Sequence, residues 1–600
     1  MNLIAEMKKN IARLVGQALE SAVATGKLSP VDENVSILVE EPKDKSNGDF
    51  SSNIAMMLAK SQGKAPRVIA EVIVEIITEM LPYSENCPDA PTHSQKTPTG
   101  APETASGQFS SQGNISANYI SKVEIAGAGF LNFHLDKEFY YKAFEMIEQM
   151  GENYGKIDIG NGKKVMVEFV SANPTGPMHM GNARGGALGD CIASVLEYAG
   201  YDVTREFYIN DAGNQIEKLG LSLEARYVQQ LKGVDAIEFP EDGYHGEDIS
   251  NHAAEFIKLH GDKYLNVSEE ERRSVLAAYA LEINIDNLKS GLENYRINYD
   301  VWFRESELYK SGELDETIKI LTDNGFTYEQ DGAIWLALTK LGLDKDEVLV
   351  RQNGHPTYFA ADIAYHRNKF VARGFDMGIN TWGADHHGHV ARMHAALEAV
   401  GVPKEKLTVI LFQLVRLMKD GEVVRMSKRT GKAITLSDLL EEAGVDVARF
   451  FFNMQRAGGH LDFDLSLAKT QSNENPVYYV QYAHARICSI IRQIADDGVV
   501  VPQIAEFDPV VLVQNEEMDL LKKICALPEE VRVSAESLEP AKMTRYLMEI
   551  SALFHTFYNA CRVKCDDENL MKARLALIAA TALVIRNVLT MLKVSAPESM

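Results

Sequence analysis

The sequence predicts a three-part α/β protein: a parallel-sheet α/β domain in the middle, a small α+β domain before it and an all-α bundle after it. Three observations carry that expectation. From about residue 160, short apolar strand candidates alternate with loops and helical patterns, as in a parallel sheet flanked by helices. Before residue 136, helical patterns are followed by an alternating apolar–polar run that suits a half-buried strand pair. After Pro476 strand signals nearly vanish and long helical patterns follow one another. At 600 residues the chain is too long for one core, since domains usually run ~100–200 residues. Boundaries are expected at 1–136, 137–470 and 471–600.

Taken in order, Ile69–Met80 (IAEVIVEIITEM) is helical in character, with turn chemistry upstream at Asn47-Gly48-Asp49. Residues 84–118 change composition sharply, with Pro88, Pro91, Pro98 and Pro102 among many Ser, Thr and Gly. Such a stretch buries too little to offset its ordering entropy, so a flexible insertion is expected inside the N-terminal domain. Order resumes at 119–135, where KVEIAGAGFLNFHL alternates as a strand pair. Lys164–Val170 is a strand candidate, Ser171–Pro177 a loop and Ala183–Tyr198 a helix. Met377–Trp382 and Leu407–Val415 read as further strands, each leading into a polar loop. Helices are expected over 478–495, 521–526, 543–561 and 571–594.

Lys plus Arg total 61 and Asp plus Glu 85, a formal net charge of −24. That balance argues against a general DNA coater, though not against one basic track on an acidic body. No secretory signal is read at the start, and the longest apolar run, Leu575–Ile585, falls short of the ~20 residues that cross a bilayer. The six cysteines are scattered, and Cys561 and Cys565 form no zinc pattern with a second pair. A cytoplasmic protein without membrane contact is expected.

Two segments promise chemistry. In Glu168–Gly186 a strand ends, a Pro/Gly loop turns and a helix begins near His179, Gly181, Asn182, Gly185 and Gly186. That arrangement offers helix N-terminal amides to an anion, and its glycines would let a ligand approach the backbone. Neither a G-x-x-x-x-G-K-[ST] nor a strand-following G-x-G-x-x-G occurs, which demotes Walker-type and dinucleotide-binding domains. The second segment, Arg425-Met426-Ser427-Lys428-Arg429-Thr430-Gly431-Lys432, packs four cations and two hydroxyls into eight residues. It suits either a mobile loop closing on a polyphosphate, whose cations would stabilise charge on a leaving pyrophosphate, or a solvated basic surface turn. The cluster Asp385-His386-His387-Gly388-His389 also invites a metal reading, but so dense a loop rarely places all its ligands at one tetrahedral centre.

His179-Met-Gly-Asn182 followed by Arg425-Met-Ser-Lys428 resembles the paired "HIGH" and "KMSK" signatures of class I aminoacyl-tRNA synthetases. Asn182 stands where the signature has its second His, and Arg425 where it has its first Lys. Other segments are similar to the arginyl-tRNA synthetase family: Ser171–Pro177, Tyr208–Gln215, Gly354–Tyr365, Trp382–His389, Asp446–Phe452 and Val480–Arg486. The resemblance runs from Gly48-Asp49-Phe50 to Val594-Ser-Ala-Pro. It implies a Rossmann-like catalytic domain, an N-terminal domain contacting the tRNA elbow and a C-terminal anticodon-binding bundle.

The same resemblance implies an arginine–tRNA ligase that forms arginyl-adenylate from L-arginine and ATP, with tRNA(Arg) required for that first step. His179, Lys428, Asn182 and Arg425 would be catalytic. Arginine would meet Glu168, Ser171, Ala172, Asn173, Asn182, Tyr358, Asp362 and His386. ATP would meet Pro174, Thr175, Gly176, His179, Gly181, Asn182, Gly383, Asp385, His389, Met426, Ser427 and Lys428. A guanidinium is a planar fork that wants carboxylates, so acids are sensible partners for it. Mg²⁺ is expected to arrive with ATP, no tightly bound metal is expected, and a monomer that does not bind DNA is anticipated. The rival readings are a non-catalytic RNA-binding relative, disfavoured by the intact 425–431 segment, and a small-molecule nucleotidyltransferase of the same fold, disfavoured by the C-terminal bundle. Cations such as Arg486, Arg532, Lys564 and Arg574, with the aromatics Phe554, Phe557 and Tyr558, are the bundle's candidates for RNA contact.

Overall fold

The computed structural model of the chain describes residues 2–32, 34–81, 117–424 and 434–600. The insertion expected at 84–118 lies almost wholly outside the described residues, and the segment Arg425–Lys432 lies wholly outside them. Two compact units emerge. One comprises Met1–Tyr154, Ile490–Glu529 and Leu553–Val584; the other comprises Gly155–Ser489, Glu530–Ala552 and Ile585–Met600.

In the first unit, helix Leu3–Ala24 buries Met7, Ile11, Leu14, Ala18 and Ala22, a stripe at helical spacing. Helix Pro66–Met80 opens with proline at its first position, where the missing N–H costs nothing. An antiparallel sheet has Phe130–Leu135 at its centre, paired with Phe50–Ser52 and Ile120–Ala126. The strand pair expected at 119–135 is therefore present. Gly48 is required: its φ is +90°, and a Cβ there would lie 2.7 Å from the Phe133 carbonyl oxygen. The next residue, Asp49, accepts hydrogen bonds from the Leu135 amide and the Tyr140 hydroxyl, both at 2.8 Å, and pairs with Lys522. Phe554 and Phe557 are fully buried, which removes them as base-stacking candidates; burial of apolar rings outweighs their availability to RNA. Lys564 pairs with Asp497, and Arg574 with Glu517.

The second unit is built on a five-stranded parallel sheet. Its strands are β1 (Lys164–Glu168), β2 (Asp202–Ile209), β3 (Val301–Arg304), β4 (Met377–Gly383) and β5 (Leu407–Phe412). Their spatial order is β5-β4-β1-β2-β3, every neighbouring pair parallel. Strand order reverses between β1 and β4, and ligands of doubly wound sheets bind outside the carboxyl ends at that switch point. Helix α1 (Met180–Tyr198) follows β1, and helix α2 (Glu269–Asn294) precedes β3. Helix α3 (Tyr358–Arg367) runs into a π-helical turn, Asn368–Ala372, and helix α4 (His387–Ala399) follows β4.

Two sequence expectations change here. The run Leu407–Val415 is not one strand: β5 ends at Phe412, and Val415–Lys419 joins a separate three-stranded sheet. The break falls at Gln413, whose carbonyl accepts from the Arg184 guanidinium (2.5 Å) and whose amide donates to Ala457 (3.0 Å). Backbone groups satisfied this way have no need of the ladder. The glycines of α1 also act differently from expectation. A Cβ at Gly185 would lie 2.9 Å from Phe412, at Gly186 2.9 Å from Ile297, and at Gly189 2.3 Å from Phe169. Those glycines bring α1 against its neighbours; of the expected ligand-facing glycines only Gly181 lines a cavity at the switch point.

Helix Glu568–Met591 is, among the described residues, the one helix long and apolar enough to cross a membrane, and 72% of its apolar window is buried within the protein. Helix Leu527–Ser537 was not anticipated by the sequence patterns.

Candidate active site

A cavity of about 630 Å³ opens at the switch point between β1 and β4. Glu168 reaches it from the end of β1, Tyr208 and Asn210 from β2 and its exit, and Asp362 from α3. Asn380, Thr381 and Trp382 come from β4, with Asp385, His386 and His389 just beyond. His179, Gly181 and Asn182 close the side toward α1, with Ser171 and Asn173 from the loop after β1.

The turn after β1 is strained. Val170 has φ +67° and Ser171 φ +40°, and the Ser171 amide donates to the Phe169 carbonyl at 3.0 Å. A left-handed β-branched residue costs about 1–3 kcal/mol and persists only where its surroundings hold it. Here the Ser171 hydroxyl donates to Glu168 Oε1 at 3.0 Å and accepts from the Tyr208 amide at 3.2 Å. His179 caps α1, and its amide donates to Asn182 Oδ1 at 3.1 Å. An Asn in place of the signature's second His thus finds a capping role that suits its side chain.

The floor of the cavity is a continuous polar chain that sequence reasoning missed. Lys369, with no exposed side-chain surface, donates to Glu168 Oε2 at 2.6 Å and to Asn380 Oδ1 at 3.1 Å. The Asn380 amide donates to His366 Nε2 at 2.9 Å, and His366 Nδ1–H donates to the Asp362 carbonyl at 2.8 Å. The carbonyl can only accept, which fixes the imidazole tautomer. Burial, reinforced by Lys369, holds the His366 pKa well below its usual value, so the ring is neutral. The signal available in sequence was an Asn within the apolar Ile379–Trp382 and a Lys following His366 at helical spacing.

Glu305 was also missed. It is 1% exposed, directly after β3, and the Tyr309 hydroxyl donates to its Oε1 at 3.2 Å. Oriented to satisfy both its amide atoms, Asn210 donates to Glu305 Oε2 at 3.3 Å. Burial pushes the Glu305 carboxyl up to about 7, and the neighbouring Asp362 carboxylate adds to the rise. A raised acid keeps its proton in the folded state while the unfolded chain loses it above pH ~4.5, so stability falls as pH climbs from about 4.5 to 7 and levels off above. Glu305→Gln, which mimics the neutral form, is expected to flatten that slope and to gain about 1–3 kcal/mol relative to wild type at pH 8. Denaturant midpoints at pH 5 and pH 8 check it; an unchanged pH dependence would show that Glu305 is ionised in the fold.

The other expected residues are placed as follows. Asp362 Oδ2 lies 3.2 Å from His389 Nε2, and Asp385 Oδ2 3.7 Å from His386 Nε2. Tyr358 is exposed on the first turn of α3, its hydroxyl beside Gly213, and does not line the cavity. Ala172, Pro174 and Thr175 do not line it either. Pro174 accepts from Asn284 at 2.9 Å, and Gly176 borders a second cavity of about 690 Å³ beside α2. Gly383 and Asp385 line the first cavity. Arg425, Met426, Ser427 and Lys428 lie outside the described residues, but the chain on either side is fixed. Met180 donates to Ile434 at 3.2 Å and Leu436 to Met178 at 2.8 Å, and Val424, Ile434 and His179 border one cleft. Among the described residues no group of three or more His, Cys, Asp or Glu is arranged to hold a metal ion. The later sequence motifs are structural: Arg449, fully buried, pairs with Asp190 and donates to Leu592 and Tyr295 carbonyls, while Gln481 donates to Asp446.

Comparison with known proteins agrees with this architecture. Residues 146–454 match the family model for the catalytic domain of class I (R) tRNA synthetases, 9–87 the arginyl-tRNA synthetase N-terminal domain, and 480–600 the DALR anticodon-binding domain. Arginine–tRNA ligases of Ruminiclostridium cellulolyticum and Acetivibrio thermocellus are each 54% identical, over 100% of this chain and 100% of theirs. The solved arginyl-tRNA synthetase of Thermus thermophilus has the same fold, with a TM-score of 0.70 over 99% of this chain and all of that one at 21% identity. A Rossmann-type switch point bearing this loop and helix start, and more than half of all positions shared with full-length relatives, lead to one conclusion: the chain belongs to the arginine–tRNA ligase family of class I aminoacyl-tRNA synthetases.

Proposed function

We propose that the chain joins L-arginine to tRNA(Arg) in two ATP-dependent steps. The arginine carboxylate attacks the ATP α-phosphorus in line and displaces pyrophosphate; the terminal adenosine of the tRNA then takes the arginyl group and releases AMP. The observation that carries this reading is the convergence of Glu168 and Asp362 with His179 and Asn182 on one cavity. Carboxylates are natural partners for the guanidinium, and Asn173 is assigned to the amino acid's other end. Tyr358 would have to swing inward to meet arginine. His179, the α1 amides, Gly181 and Lys428 are assigned to ATP, with Asp385 and His389 on its far side; Mg²⁺ would come with the nucleotide. In such chemistry the protein mainly positions reactants and neutralises developing charge.

An acidic pocket rejects neutral amino acids because they would leave its charge unpaired. ATP–pyrophosphate exchange is therefore expected with arginine alone among the amino acids, and to depend on added tRNA. Exchange with another amino acid, or none with arginine and tRNA together, would overturn the reading.

We further assign residues 1–136 to tRNA contact, 137–470 to catalysis and 471–600 to the anticodon, in a cytoplasmic monomer. The matched family domains support this order. Deleting Asn86–Gly113 is expected to leave folding and arginylation near normal, because a segment of that composition supplies no core. A large fall in tRNA affinity on filter binding would make the insertion a functional element.

A further inference from the structure

We propose that Lys369 is a positioning residue for arginine that acts through Glu168: it cancels the charge of Glu168 and braces the strained turn after β1, leaving Asp362 to supply the charge that selects a cation. The inference rests on the arginine–tRNA ligase reading and deepens it.

Lys369 occupies the π-helical turn Asn368–Ala372 and is buried there. Such turns are uncommon and gather at functional sites. Its ammonium has no exposed surface; it meets Glu168 Oε2 at 2.6 Å, Asn380 Oδ1 at 3.1 Å and the Tyr365 ring at 4.1 Å from the centroid. A buried lysine is retained at such cost only when it is paired. Glu168, with 9% of its side chain exposed, spends one lone pair of each oxygen inside the protein, Oε2 on Lys369 and Oε1 on Ser171. What it presents to the cavity is an acceptor already neutralised. Asp362, one-third exposed, faces the same cavity with the His389 ring beside it and pairs with no Lys or Arg among the described residues. Ser171 links the pair to backbone geometry, since its hydroxyl joins Glu168 to the Tyr208 amide across Val170 at φ +67°. Loosening Lys369 would free Glu168, then Ser171, then the loop that carries Asn173.

The experiment is a mutant cycle read as Michaelis constants for arginine and ATP and as turnover in aminoacylation, on the full-length enzyme. Lys369→Met alone is expected to raise the arginine constant roughly 10- to 100-fold while the ATP constant shifts less than about 3-fold. Because it strands a buried carboxylate, Lys369→Met could also fail to fold. Glu168→Gln in turn strands the Lys369 ammonium, so Glu168→Gln is compared with Glu168→Gln/Lys369→Met, which removes both charges, after circular dichroism has shown both to be folded. If Lys369 acts through Glu168, the two have arginine constants within about 3-fold of each other; effects of contacting residues are then non-additive. A further 10-fold loss in the double variant, or an arginine constant in Lys369→Met equal to wild type, would overturn the proposal. Wild-type enzyme that arginylates tRNA in the same assay keeps the functional reading standing whichever way the cycle falls, and wild type without activity on arginine would refute that reading instead.

Discussion

Lys428→Ala is expected to lower turnover roughly 10²–10³-fold while leaving the Michaelis constant for arginine nearly unchanged, the usual cost of losing one donor aimed at developing charge. Pyrophosphate leaves with charge that the ground state does not carry, so a cation placed there acts on the transition state more than on binding. Arg425–Lys432 carries four cations in eight residues. The backbone that follows is tied to the helix-start loop by Met180 to Ile434 and Leu436 to Met178, and residues on both sides border a cleft with His179. The described residues that flank the segment, Val424 and Ile434, therefore lie beside the residue assigned to ATP. Single-turnover rates with saturating arginine and ATP check the expectation. Near-normal rates would remove Lys428 from the mechanism, and a rise confined to the arginine constant would reassign it to substrate binding.

Asp362→Asn is expected to raise the Michaelis constant for arginine roughly 10- to 100-fold, since charge-assisted hydrogen bonds are worth ~1.5–3 kcal/mol each. The substitution keeps the shape, removes the charge and turns an amide hydrogen toward the guanidinium. The loss should exceed that of Glu168→Gln, because Glu168 is already paired with Lys369 whereas Asp362 is not paired with any Lys or Arg among the described residues. Asp362 also holds His389 at 3.2 Å, so a small rise in the ATP constant, below about 5-fold, should accompany it. Canavanine, whose guanidinium is less basic, should lose less than arginine. Aminoacylation kinetics with both amino acids decide the matter: equal losses for arginine and ATP would make Asp362 structural.

Local signals carried much of this protein. Alternation over 119–135, strand–loop–helix order from residue 164 and uninterrupted helical periodicity after Pro476 are properties of neighbouring residues, and each produced the expected element. The two signature segments were legible because their spacing and residue types are local as well, whereas the capping role of Asn182 came to light only in the structure.

What the sequence could not decide depended on partners far along the chain. Glu168 and Lys369 are 201 residues apart, and a lysine in a polar run reads as solvated surface until the fold pairs it with Glu168 and Asn380. The same holds for Glu305, an ordinary helix-start acid in sequence, whose environment of Tyr309, Asn210 and Asp362 is assembled from three separate segments. Gly185 and Gly186 looked like room for a ligand, yet they are room for Phe412 and Ile297. Leu407–Val415 had the periodicity of one strand, which ends early at Gln413, whose carbonyl is captured by Arg184 from 229 residues away and whose amide donates to Ala457. Periodicity and turn chemistry by themselves determined the elements and the order of the parts, because they act over a few residues. Burial, charge pairing and the switch point where the cavity opens were decided by tertiary structure, because the energy of a buried charge is set by whatever the fold brings within hydrogen-bonding distance of it.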